Sequence, residues 1–256
     1  MEMRPVGLQF HAGYGAIYMI GRCDAESGAF LRENVCSIDY GLDFYATQTL
    51  ETPDGRRVMI AWMQNWTSAN CQPSDARYYG EMTVPRELSV RDDCLIQNPV
   101  RELERYRTNP VAYKNVPVSE EISLEGVRGR VLDMTLSVRP SADGGYRRFQ
   151  VRVAKDGERM TTVCYEPDCG VIQIDRSRCG APYDIAHTRK FHVRRRNGEV
   201  KLRFVMDRHS LELFVNDGEQ AASLLLHTPE TADFISFETD GGAVLMDVEK
   251  YDLAVS

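Results

Sequence analysis

Alternating apolar and polar residues run through most of this chain with a period of two. Val131-Leu132-Asp133-Met134-Thr135-Leu136-Ser137-Val138 is the longest such run, and Phe149-Gln150-Val151-Arg152-Val153 repeats the device. Leu202-Arg203-Phe204-Val205-Met206 and Leu211-Glu212-Leu213-Phe214-Val215 do so again, joined by Asp207-Arg208-His209-Ser210 and closed by the Asn216-Asp217-Gly218 turn. A period of two sends successive side chains to opposite faces, so these runs predict strands with one face on a core and one on water. Shorter apolar runs, Ala16-Ile17-Tyr18-Met19-Ile20 before Gly21 and Val58-Met59-Ile60-Ala61-Trp62 after Asp54-Gly55, predict further strands. Asp-Gly is a tight-hairpin signal because both residues tolerate positive φ. A β-meander and an all-β fold follow.

One segment departs from this pattern. In Pro99-Val100-Arg101-Glu102-Leu103-Glu104-Arg105-Tyr106-Arg107, proline occupies a permitted first-turn position, and Val100, Leu103 and Tyr106 share one helical face. It predicts a short helix before the Asn109-Pro110 break, connecting two domains. Regular strand spacing beyond about residue 120 predicts a sandwich. The region before residue 108 holds too few strands to close a domain by itself.

Composition narrows the function classes. A chain of 256 residues, 43% hydrophobic and 27% charged, has the make-up of a globular protein with one large or two ordinary domains. Its net charge of −7 argues against a nucleic-acid partner or an anionic membrane surface. The basic run Arg194-Arg195-Arg196 reads as a solvated hairpin end. No apolar run approaches the roughly 18–20 residues of a membrane helix, and Met1 to Phe10 lacks a secretory apolar core. Seven scattered cysteines without a CxxC pair fit a reducing cytoplasm better than a disulfide framework. The five histidines show no metal or triad spacing, and Gly13-Tyr14-Gly15 lacks the third glycine of a dinucleotide loop. No cofactor or metal is expected.

Three blocks carry more specific information: Ile38-Asp39-Tyr40-Gly41-Leu42-Asp43-Phe44-Tyr45-Ala46-Thr47-Gln48-Thr49, then Gly55 to Met63, then Met82-Thr83-Val84-Pro85-Arg86-Glu87-Leu88. In that order and spacing they resemble the second half of the invertase/levanase β-fructofuranosidases, glycoside hydrolase family 32. Gly7-Leu8-Gln9-Phe10-His11, Gln97-Asn98-Pro99-Val100, Ile174-Asp175-Arg176-Ser177 and residues 207–218 extend the resemblance over nearly the whole chain. His209 departs from it, standing where a small hydroxyl residue is commoner. The family's nucleophile lies in an Asn-Asp-Pro motif and its acid/base in a Glu-Cys motif. Neither these nor Arg-Asp-Pro occurs in this sequence, and Glu2 is not that acid.

The resemblance implies the last blades of a five-bladed β-propeller over 1–108, a linker over 109–117, and a C-terminal β-sandwich over 118–256. It implies retaining hydrolysis of terminal β-D-fructofuranosides: sucrose, sucrose 6-phosphate or fructans. That chemistry needs two carboxyls about 5–5.5 Å apart, so this chain, a C-terminal part, is expected to be inactive alone. A carbohydrate-binding or interaction module and one half of a split enzyme are the alternatives. Terminal blades leave unpaired strand edges, so partnering or self-association through residues 1–60 is expected.

No catalytic residue is assigned. Two residues are candidates for substrate binding. Asp39 matches a family position at the rim of the active-site funnel, and an aspartate before Tyr-Gly equally suits capping of backbone amides. Trp62 matches an aromatic near the sugar pocket, where an indole offers an apolar face and an N–H donor; core packing is its other reading. Trp66 and Asn65 lie just beyond, available for rim contacts. Asp43 would lie roughly 13 Å from Asp39 in a fully extended stretch, at about 3.3 Å per residue, too far for a retaining pair. Glu87 reads as a structural partner of Arg86 or Arg101.

Overall fold

The computed structural model describes residues 15–71, 76–142, 144–182 and 185–254. Glu2, Gly7 to His11 and the Gly13-Tyr14 part of the glycine stretch lie outside the described residues. The fold is all-β, in four antiparallel sheets.

β1 (Ile17–Cys23) and β2 (Phe30–Ser37) form a two-stranded ribbon. β3 (Tyr45–Glu51), β4 (Arg57–Trp62), β5 (Arg86–Arg91) and β6 (Cys94–Pro99) follow in chain order as a four-stranded sheet. The β3–β4 turn is the one Asp54-Gly55 predicts: Gly55 has φ 83°, and Thr52 N–H donates to the Arg56 carbonyl at 2.8 Å. Ile38, Phe44, Met59 and Ala61 make a small core, with Ala16 and Tyr18 from the ribbon side packed against it.

The segment after β6 is a 3-10 helix, Arg101–Tyr106, with no buried residue. Six residues give a helix little room to propagate, and the Arg101 N–H is taken by Glu87 Oε1 at 3.0 Å. The expected linker over 109–117 is corrected by the structure: those residues form the body of β7 (Arg107–Val118), paired with β17 (Val244–Leu253). Asn109-Pro110 looked like a break because proline lacks a ladder donor. At the edge of a sheet that loss is tolerated, and β7 is an edge strand.

Beyond it lie β8 (Leu132–Pro140), β9 (Arg148–Asp156), β10 (Arg159–Glu166), β11 (Val171–Asp175), β12 (Thr188–His192), β13 (Val200–Asp207), β14 (Ser210–Val215), β15 (Gln220–Leu225) and β16 (Phe234–Asp240). One sheet runs β12-β11-β10-β9-β16, the other β15-β14-β13-β8-β17-β7. The runs β9 to β12 and β13 to β15 are meanders, as the turns predict. The long-range pairs β8–β13, β8–β17 and β9–β16 close the sheets. Both contribute their apolar alternates to one core, Leu132, Met134, Leu136, Leu202 and Phe204 from one and Phe149, Val151, Val163, Ile172 and Phe191 from the other.

Candidate functional site

The block from Asp39 to Asp43 lies along the free edge of β15. Tyr40 N–H donates to the Ala221 carbonyl at 2.8 Å, and Leu42 and Asp43 N–H groups reach the Ser223 carbonyl at 2.9 and 3.0 Å. The two aspartates serve the donors on the same edge: Ser223 N–H donates to Asp39 Oδ1 at 2.9 Å, and Leu225 N–H to Asp43 Oδ2 at 2.9 Å. Edge-facing amides of a strand recur every second residue, so the two carboxylates take the amides of Ser223 and Leu225. Gly41 is required between them, because a Cβ there would lie 2.0 Å from the Ser223 carbonyl oxygen. The edge of the six-stranded sheet is thereby covered.

Each aspartate also meets a buried arginine. Arg86 Nη1 donates to Asp39 Oδ2 at 2.9 Å, while its Nε and Nη2 reach Glu212 Oε2 at 3.0 and 2.6 Å. The Arg86 and Asp39 side chains are fully buried, and the guanidinium lies 5.3 and 5.2 Å from the ring centroids of Phe44 and Phe214. Burial opposes its charge, but Glu212 and Asp39 outweigh burial and hold Arg86 above the usual arginine range. Glu212 Oε1 accepts from Val84 N–H at 2.6 Å, and Gln97 joins Arg86 at 3.1 Å. Asp43 pairs with Arg176, whose Nη1 also reaches the Leu225 carbonyl at 3.3 Å.

Asp39 is therefore scaffold. With Gly41 N–H at 2.7 Å and Ser223 Oγ at 2.8 Å added, both its oxygens are committed inside the protein. The capping reading holds in extended form, and the expected rim contact is corrected. Asp39 and Asp43 face different arginines and form no carboxyl pair. Glu87 binds Arg101 at 2.7 Å and Arg56 at 2.8 Å, not Arg86, and the Arg101 and Arg56 contacts hold its carboxyl down at about 2.

Trp62 ends β4 at a different kind of place. It is half-buried, its Nε1 donates to Gln64 Oε1 at 3.1 Å, and its ring meets Trp66 edge-on with centroids 5.4 Å apart. Tyr45, opposite Trp62 in the β3–β4 register, completes the group at 6.5 Å from Trp66. Trp66 is 62% exposed. Asn65, a sequence candidate for rim contacts, is buried: Nδ2 donates to the Leu42 carbonyl at 2.9 Å and Oδ1 accepts from Thr67 and Ser68 N–H. It folds the loop that presents Trp66.

Two titratable groups lie near the junction. Burial, then the charges of Asp207 and Asp43, push Glu81 up to about 7. Burial, then the Arg176 charge, push His227 down to about 4, with His187 and His209 adding to the effect. These histidines come from separate loops, so sequence spacing gave no hint of their proximity. Among the described residues no three His, Cys, Asp or Glu side chains are grouped to hold a metal. Glu212 and Ser223 were also invisible as partners. A charge inside Leu-Glu-Leu-Phe-Val was the one available signal.

The chain belongs to glycosyl hydrolases family 32: residues 1–99 match the family's N-terminal domain and residues 102–253 its C-terminal domain. It is 29% identical over 250 residues to the sucrose-6-phosphate hydrolase of Staphylococcus xylosus, covering 96% of this chain and 49% of that one. A levanase of Bacillus sp. (strain L7) is 28% identical over 248 residues, 91% of this chain and 26% of the relative. The chain thus spans half or less of these relatives' length. Its fold matches the exo-inulinase of Aspergillus awamori with a TM-score of 0.77 at 21% identity, over 95% of this chain and 50% of that one.

Proposed function

We propose that this chain is the C-terminal part of a β-fructosidase that hydrolyses terminal β-D-fructofuranosides, such as sucrose, sucrose 6-phosphate or fructans, with retention. In this reading the four-stranded sheet is a propeller blade, and the two sheets sharing the large core are the accessory sandwich. Trp62 and Trp66, with Tyr45, supply an aromatic wall to the sugar. The observation that carries the assignment is the aromatic group at the β3–β4 end of a domain belonging to this family. An indole face packs against the C–H face of a furanose while its edge stays polar.

The carboxyl pair comes, in this proposal, from polypeptide outside these 256 residues. Asp39, Asp43 and Glu212 are each engaged by a buried arginine, which holds them away from a substrate. The purified chain is expected to show no turnover of sucrose or levan. Turnover that Asp39→Ala abolishes would overturn the proposal. Mixing with a chain that bears the Asn-Asp-Pro and Glu-Cys motifs is expected to restore hydrolysis, and Trp62→Ala to weaken it.

A split enzyme fits the same surface. Among the described residues β3 is an edge strand, and Met19, Phe30, Leu31 and Leu50 on β1, β2 and β3 are about half exposed or more, which favours a protein partner or a second copy there. A reducing cytoplasm is the compartment we propose, since the seven cysteines are scattered along the chain without a CxxC pair.

A further inference from the structure

We infer that the outer face of the five-stranded sheet is a second, non-catalytic site for a neutral oligosaccharide. Strand register sets one row of side chains across all five strands: Glu238 beside Gln150, Gln150 beside Cys164, Cys164 beside Gln173, and Gln173 beside Lys190. Thr162 and Asp175 lie opposite each other in the next row on the same face. The alternate residues Phe149, Val151, Val163 and Ile174 are in the core. The face is hollowed at its middle into a cleft of about 230 Å³ that the small Cys164 leaves open between the two glutamines.

The lining chemistry selects the ligand. Arg148 and Lys190 are matched by Glu166 and Asp175, two cations against two carboxylates, so the cleft has no net charge to attract an ion. Arg148 and Glu166 are 3.3 Å apart and neutralise each other. The amides of Gln150 and Gln173 and the hydroxyl of Thr162 are half-buried and make no hydrogen bond with any described residue. Each amide offers two donors and an acceptor, the complement of neighbouring sugar hydroxyls. The outer face of the six-stranded sheet differs, since its Arg203 and Lys201 are paired with Asp133 and Asp217. Burial pushes the Cys164 thiol up to about 11, so it stays neutral. No aromatic lines the cleft, so binding rests on hydrogen bonds and is weak, in the millimolar range expected of few net contacts.

The ligand class follows from this lining and not from the proposed hydrolysis, so the test separates them. The full chain is titrated with short levan, inulin and dextran oligosaccharides by calorimetry and ligand-observed NMR. Saturable binding of at least one of them is expected. Gln150→Ala/Gln173→Ala is expected to weaken it about tenfold or more, and Cys164→Tyr to block it, both read in variants that melt as the parent does. The double variant keeps the test open if Cys164→Tyr fails to fold. Trp62→Phe/Trp66→Phe is expected to leave this binding unchanged. The inference is overturned if none of the three sugars binds, if the double glutamine variant binds as the parent does, or if the tryptophan variant loses the binding.

Discussion

Replacing Arg86 with methionine tests the junction most directly. The guanidinium lies 2.9 Å from Asp39 and 2.6 Å from Glu212, and the three side chains are at most 3% exposed. Methionine fills much of the volume between Phe44 and Phe214 but leaves two buried carboxylates without a cation. Removing one member of a buried ion pair costs about 3–5 kcal/mol, a large part of the roughly 5–15 kcal/mol that keeps a domain folded. The loss should depend on pH with a definite sign. Burial already holds the Glu212 carboxyl above its usual value, and losing the Arg86 charge raises it further, so the variant is penalised less at pH 5 than at pH 8. Adding Asp39→Asn and Glu212→Gln removes the stranded charges and should restore part of the stability. Urea unfolding at both pH values measures this, with far-UV circular dichroism following both sheet systems. Tryptophan fluorescence follows only the N-terminal one, which contains Trp62 and Trp66. The two signals should coincide in the parent and separate in Arg86→Met. A loss below about 1 kcal/mol, or an equal loss at both pH values, would refute the argument that this triad is a buried, charged clamp.

Three further outcomes follow from the same geometry. Gly41→Ala forces a methyl group to within 2.0 Å of the Ser223 backbone, so it should cost about 1–3 kcal/mol or more, whereas Gly145→Ala, with open space around it and no positive φ, should cost less in the same melts. His227 has a folded pKa near 4 against an ordinary 6.5, so its contribution is complete above 6.5 and is lost as pH falls toward 4; Glu81, near 7 against 4.5, contributes fully below 4.5 and loses it as pH rises through 7. Each is worth about 3 kcal/mol at most, so the slopes oppose each other between pH 4.5 and 6.5: His227→Gln should leave stability falling with pH there and Glu81→Gln should leave it rising, and identical stability–pH curves would contradict both assignments. Glu87→Gln, by contrast, breaks contacts to Arg56 and Arg101 near the surface and should cost less than about 1 kcal/mol in denaturant titration.

The strands were legible because alternation along the chain is a local property: β8, β9, β13 and β14 fall where the period-two runs place them. The Asp54-Gly55 turn was legible for the same reason, and the Asp39-to-Asp43 block was visible as a motif. What that block does was not. Asp39 and Ser223 are 184 residues apart in the chain, and nothing local says that an aspartate before Tyr-Gly will lie along another domain's strand. Glu212 shows the same limit. On the outward face of a sheet, alternation allows a charge equally well whether water or another layer covers that face. The sequence by itself determined the strands that alternate with a period of two, and the family. Only tertiary structure decided that β7 is an edge strand and that Arg86 joins two carboxylates, because burial and ion pairing depend on distances between residues remote in the chain.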